Sequence, residues 1–217
     1  MTANVKGHDK EPGSRAERTE RRIIAAATDL FLARGYRGTT LSDVAKAAGV
    51  SDRTIYVRFD TKADLLKRTV DVAVAGDTLP IDLAHRDWML TLMNAPTLEE
   101  RLTVDAAGTT RLMKRTAPIL AVAMQVEADE PVIADAAQVA RVATFRQVRA
   151  FWEKLRADGL MNADSDLEWV INTSGLLANA ETYVHMTRTI QWTSAEYERW
   201  RYRTWLHLAT TPGPDIT

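Results

Sequence analysis

TTLSDVAKAAGVSDRTIYVRFDTKADLL, from Thr39 to Leu66, carries the residue pattern of a helix-turn-helix. Leu41, Val44, Ala45 and Ala48 recur at helical spacing, and Thr39 or Thr40 supplies the hydroxyl that an amino-terminal cap needs. Gly49 follows, where a left-handed backbone costs glycine little, and Val50 can fill the gap between two helices crossing at a steep angle. Ser51 caps the next helix, Asp52 suits the positive end of its dipole, and Ile55 and Phe59 sit four apart as its buried face.

Around that small apolar stripe stand Arg53, Thr54, Tyr56, Val57 and Arg58, more chemistry than packing requires. A major groove admits one helix, whose amino-terminal residues reach base edges while flanking groups bind phosphate. Arg53 and Arg58 are candidates to grip a guanine or a phosphate. The hydroxyls of Thr40, Ser51, Thr54 and Tyr56 can donate to phosphate oxygens, and Lys62 opens a further helix whose free amides favour an anion. Asp52 is a helix cap or an acceptor for a cytosine amino group, and Val57 touches a thymine methyl or fills space.

Outward from this stretch, Ile23, Ile24, Ala27, Leu30 and Phe31 line one side of a preceding helix from Arg22 to Arg34, followed by Gly35-Tyr36 and Gly38-Thr39-Thr40. With Ala48-Gly49-Val50-Ser51, Ile55-Tyr56, Phe59 and Thr61-Lys62-Ala63-Asp64-Leu65-Leu66, the segment from about Ala16 to Leu66 resembles the amino-terminal domain of the TetR family of bacterial transcriptional repressors. Two positions depart from the commonest pattern. Asp52 stands where a lysine or another DNA-approaching residue often sits, and Val57-Arg58 replaces an aromatic-histidine type of pair, so base preference does not carry over.

The charge is divided along the chain. Residues 1 to 70 hold 14 Lys or Arg against 9 Asp or Glu, a net +5, and residues 71 to 217 hold 14 against 20, a net −6, although the whole carries only −1. Cations therefore gather where phosphates would be met. Residues 1 to 18 contain Lys6, Lys10, Arg15 and Arg18 with no apolar period and are expected to form a mobile basic tail. Cysteine is absent, which excludes disulfides and thiolate chemistry. No apolar run approaches the roughly 20 residues that span a bilayer, so a cytoplasmic protein without membrane contact is expected.

Beyond Ala63 the chain reads as further helices, and with 46% hydrophobic residues it can bury a sizeable core. The expected class is all-α: a three-helix helix-turn-helix domain over residues 19–62, a larger helical ligand-binding and dimerisation domain over 63–211, and a tail at 212–217. Breaks are expected at Gly76 to Pro80, Asn94 to Thr97, Thr116 to Pro118, Asp129 to Pro131, Ala157 to Ser165 and Gln191 to Ser194. These leave long segments at Val132 to Arg156 and Asp166 to Ile190, and a closing helix from Ala195 to about Ala209.

The resemblance implies a homodimer whose last two long helices form the interface, from Phe145 to Leu155 or the opposite face of that helix and from Trp169 to Met186. Two recognition helices held about 34 to 36 Å apart would read a palindromic double-stranded DNA operator. It also implies release by a small effector. Candidate contacts for a largely apolar or aromatic one are Trp88, Met89, Met93, Met113, Met124, Phe145 and Trp152, which read equally as core, with Asn179 and Tyr183 as polar partners. An enzyme fares poorly: His8, His85, His185 and His207 are isolated, with no metal-ligand spacing, phosphate loop or serine elbow, and no cofactor is implied. The remaining alternative is a helical ligand-binding or interaction protein that does not bind DNA.

Overall fold

A computed structural model describes residues 14–76 and 87–212, and every regular element among them is a helix. The first, α1 (Arg15–Arg34), begins earlier than its apolar period suggests. Ser14 Oγ accepts from the Glu17 amide while the Glu17 carboxylate accepts from the Ser14 amide. This reciprocal cap starts the helix without any buried residue. Residues 15–18 are thus helix and not tail, whereas residues 1–13 and 213–217 lie outside the described residues.

Helices α2 (Leu41–Ala48), α3 (Asp52–Arg58) and α4 (Lys62–Ala75) follow, each with a Thr or Ser cap. Gly49 ends α2 with φ 62°, a left-handed conformation that a β-carbon would strain, and the Arg22 guanidinium donates to the carbonyls of Ala48 and Gly49. The α2–α3 turn is therefore held by α1. Ile23, Ala27, Phe31, Val44, Ala45, Ile55, Leu65 and Leu66 close around one another with essentially no exposure.

Helix α5 (Asp87–Asn94) leads through Pro96 to α6 (Leu98–Met124), capped by Thr97 with Glu100. The expected break at Thr116 to Pro118 does not occur. Pro118 sits inside α6 on its exposed side, where solvent can take the Lys114 carbonyl that loses its amide partner, while Ala117, Ile119, Ala121 and Val122 stay buried. Packing on the inner face outweighs the missing hydrogen bond.

Pro131 opens α7 (Pro131–Ala157), which packs along α8 (Leu167–Leu177). The expected single segment Asp166 to Ile190 is two helices. Asn179 is extended at φ −66°, ψ 150°, starts α9 (Ala180–Arg188) and donates through Nδ2 back to the Gly175 carbonyl. Thr193 then caps α10 (Ser194–Thr210), which lies along α6.

Helix α6 is shared between cores, and its Ala117 packs with Tyr183 and Tyr197 in a small third one. Ile119, Val122 and Ala123 at its carboxy-terminal end join the core of α1–α4, together with Val126 and Ile133. Leu102 near its start joins a second core with Trp152, Leu155, Val170, Ile171 and Trp205.

Candidate nucleic-acid interface

Helix α3 buries one of its seven residues, Ile55, with Phe59 immediately after it. Arg53, Tyr56, Val57 and Arg58 are exposed, Val57 to 76% and Tyr56 to 54%. A helix this short gains little from its own hydrogen bonds, so the neighbouring core fixes its orientation. Ser51 Oγ accepts from the Thr54 amide and so caps α3, and it also lies 2.8 Å from Thr54 Oγ1.

The acidic residue at the start of α3 has a protein partner. Ser42 Oγ on α2 donates to both Asp52 oxygens, at 3.0 and 2.9 Å, which ties the two helices and leaves the carboxylate as a brace. Thr40 is likewise committed: its hydroxyl donates to Asp43 at 2.7 Å and accepts from the Asp43 amide. The Thr40 hydroxyl and amide hold the Asp43 carboxyl below its usual range.

Lys62 differs most from its sequence reading. Its ammonium donates to the Tyr36 carbonyl at 2.8 Å and lies 4.1 Å from the centroid of the Tyr36 ring, half-buried. Tyr36 in turn donates from its hydroxyl to Glu130 Oε1 at 2.7 Å, and burial with that carboxylate beside it pushes the phenol well above its ordinary pKa. Arg37 pairs with Asp129 alongside. The turn between α1 and α2 is thereby fastened to the turn between α6 and α7. Arg22, Tyr36 and Ser42 escape sequence reasoning because each acts on a residue distant in the chain.

A cavity of about 810 Å³ lies between α4, α5, α6, α7, α9 and α10, within the size range of small-molecule sites. Trp88, Met89, Met93, Met113, Met124 and Asn179 line it, and Trp88 lies flat enough on Gly108 that a β-carbon there would fall 2.4 Å from its ring. Three sequence candidates are placed elsewhere. Trp152 is fully buried in the second core and donates to Ser174 Oγ at 2.7 Å. Phe145 rests against Gly175 of α8, and Tyr183 packs edge-on to Tyr197 with its hydroxyl 3.2 Å from Ser194 Oγ. In each case an aromatic ring found a small residue or another ring to fill against.

The cavity instead gains polar groups that composition does not flag. Asp105 of α6 and Arg201 of α10 face each other across its wall at 2.6 and 3.1 Å, both nearly fully buried. Arg141 bridges Glu127 and Glu181 at its edge, which holds the Glu127 carboxyl low. A sequence signal for the first pair exists: Asp105 falls on the Leu102-Ala106-Thr109 stripe of α6.

The sequence profile of bacterial regulatory proteins of the tetR family matches residues 23–69, spanning α1 to α4. Residues 23–69 thus form a TetR-type amino-terminal domain. Among TetR-family relatives, the transcriptional activator FasR of Mycolicibacterium smegmatis is 39% identical over 70 residues, 30% of this chain and 32% of FasR. The transcriptional regulator TtgR of Pseudomonas putida is 43% identical over 56 residues, 26% of this chain and 27% of TtgR. The chain thus aligns with no more than about a third of the length of these relatives. The fatty acid degradation regulator FadR from Bacillus halodurans superposes with a TM-score of 0.65 at 18% identity, covering 91% of this chain and 97% of that one, a likeness of fold. The TetR-type head thus carries the sequence identity, while the cavity lies in helices that share shape with other proteins more than residues.

Among the described residues no helix is long and apolar enough to cross a membrane. His207 Nδ1 lies 3.0 Å from Thr211 Oγ1.

Proposed function

We propose that the chain is a transcriptional regulator that binds a palindromic operator as a homodimer, represses, and is released when a largely apolar small molecule fills the cavity. The observation that carries the DNA-binding reading is the exposure of Arg53, Tyr56, Val57 and Arg58 on a helix that buries only Ile55. Such a surface suits a major groove, with Arg53 as base reader, Arg58 on base or phosphate, Val57 at a thymine methyl, and Ser51, Thr54 and Tyr56 on phosphates. Thr40 and Lys62 keep a phosphate-facing role in this reading, although the Thr40 hydroxyl also donates to Asp43 and the Lys62 ammonium to the Tyr36 carbonyl.

Dimerisation through α7 and α8 is supported by their exposed aliphatic groups, Val139, Val142 and Leu176, on helices whose other faces carry Val148, Phe151, Ile171 and Ser174 inward. The domain limits at residue 62 and residue 211 belong to the same proposal, as does residence in the cytoplasm, where the operator is. Neither a cofactor nor an enzymatic step is needed.

Purified protein incubated with fragmented genomic DNA from its source should enrich one palindromic site at moderate salt, and binding should fall steeply as salt rises. Recovery of background alone, in the absence of small molecules, would favour a helical binding protein without DNA affinity. A reporter downstream of the enriched site reads the sign, which for FasR is activation.

A further inference from the structure

Asp52 is the one acidic residue of α3, and it stands exposed beside Arg53 and one turn before Tyr56, on the arc that Ile55 leaves free. A carboxylate on a surface meant for a polyanion is repelled by phosphate, so its presence there needs a compensating contact. The Ser42 hydroxyl, on the exposed side of α2, has a single proton and shares it between the two Asp52 oxygens at 3.0 and 2.9 Å. Each oxygen therefore keeps lone pairs to offer, while the bond that braces α2 against α3 also fixes the direction in which the carboxylate points.

The major-groove edges of the bases decide what such a group can accept from. Guanine shows N7 and O6, both acceptors, and thymine shows the O4 acceptor and a methyl, so neither offers the carboxylate a proton. Adenine has a donor at N6 but the N7 acceptor beside it. Cytosine alone shows an N4 donor with no acceptor next to it. We infer that Asp52, oriented by Ser42, is a specificity determinant of the operator: it accepts from the N4 amino group of a cytosine in the half-site that Arg53 reads, and it disfavours guanine and thymine at that position. Asp52 touches the base, and Ser42 is its positioning residue. This rests on the operator-binding reading above and adds a base identity to each half-site.

The full chain is used to select binding sites from randomised duplexes, and the selection is repeated with Asp52→Ala, Ser42→Ala and Ser42→Thr. One cytosine per half-site should be preferred by about ten-fold, the usual scale of a single base contact. Asp52→Ala should lose that preference and leave the other positions as they were. Ser42→Ala should narrow it, and Ser42→Thr, which keeps the hydroxyl, should restore it. The decisive duplex needs no variant: N4-methylcytosine at this position keeps its pairing with guanine but replaces the amino hydrogen that faces the major groove. It should bind the unaltered protein about ten-fold more weakly than cytosine does, and bind Asp52→Ala just as cytosine does. Unchanged binding of the methylated duplex overturns the inference while leaving the DNA-binding reading intact. So does a uniform change on every sequence in Asp52→Ala, upward for a carboxylate set against a phosphate or downward for a pair that only braces the helices. Failure of the unaltered protein to enrich any site overturns both.

Discussion

The Tyr36 hydroxyl donates to Glu130 Oε1 at 2.7 Å, joining the turn before α2 to the residue that caps α7. Ala136, Ala137, Ala140 and Arg141 of α7 line the cavity, so this bond links the cavity wall with the helix-turn-helix head. Tyr36→Phe should lower stability by about 1 kcal/mol in chemical denaturation. It should also reduce the factor by which a cavity ligand weakens DNA binding, measured by titrating operator affinity with and without ligand. An unchanged factor would exclude this bond from the coupling.

Arg53→Ala should narrow the affinity gap between preferred and altered operators by about 1 to 3 kcal/mol if the guanidinium reads a base. Equal losses on every sequence would assign Arg53 to the phosphates. Lys62→Met should lower binding to all sequences alike and, because its ammonium also holds Tyr36, cost roughly 1 kcal/mol of folding stability.

Breaking the buried pair on one side, as in Arg201→Met, strands the Asp105 carboxylate and should cost about 3 to 5 kcal/mol. The Asp105→Leu, Arg201→Met double variant should be far less damaging than the sum of the singles. Melting temperatures of the four proteins give the coupling directly.

Gly108→Ala should empty or reshape the cavity near Trp88, since the new methyl would fall inside the indole ring's contact distance. The expected signature is weaker ligand binding with DNA binding intact, read by calorimetry and by operator titration.

Acid should loosen the carboxy-terminal half through its ion pairs. Glu127 is held below its ordinary carboxyl range by Arg141, and Glu168 likewise by Arg149. A carboxyl whose folded pKa is depressed contributes stability above its unfolded pKa and loses it as pH falls through the folded one. The unaltered protein should therefore keep its stability down to about pH 4.5 and lose it below. Arg141→Met should be less stable than the unaltered protein above that pH, with the difference closing at lower pH.

How far the sequence could be read follows the range of the interactions. The α2 and α3 caps, Gly49 and the apolar stripes of α1 to α4 are local, and the chain displays them within a few residues of where they act. Pro118 misled because its effect depends on which side of α6 faces solvent, a tertiary fact. Lys62 and Asp52 read as surface groups because their partners, Tyr36 and Ser42, lie 26 and 10 residues away. Met and aromatic content marked the cavity's neighbourhood, but Phe145, Trp152 and Tyr183 carry the same signal and fill cores. Asp105 stands out on the apolar stripe of α6, but its partner Arg201 lies 96 residues away and nothing local joins the two.

The sharing of α6 between cores limits how freely the helix-turn-helix head can be traded. Ile119, Val122, Ala123, Val126 and Ile133 belong to the packing of α1 to α4 although they follow in the chain by some fifty residues or more. A chimaera cut after α4 would set a foreign head on these five side chains and leave mismatched volume at the joint. Exchange of operator specificity by recombination would thus succeed when the tip of α6 and the start of α7 travel with the head, as one heritable module written in two separated stretches.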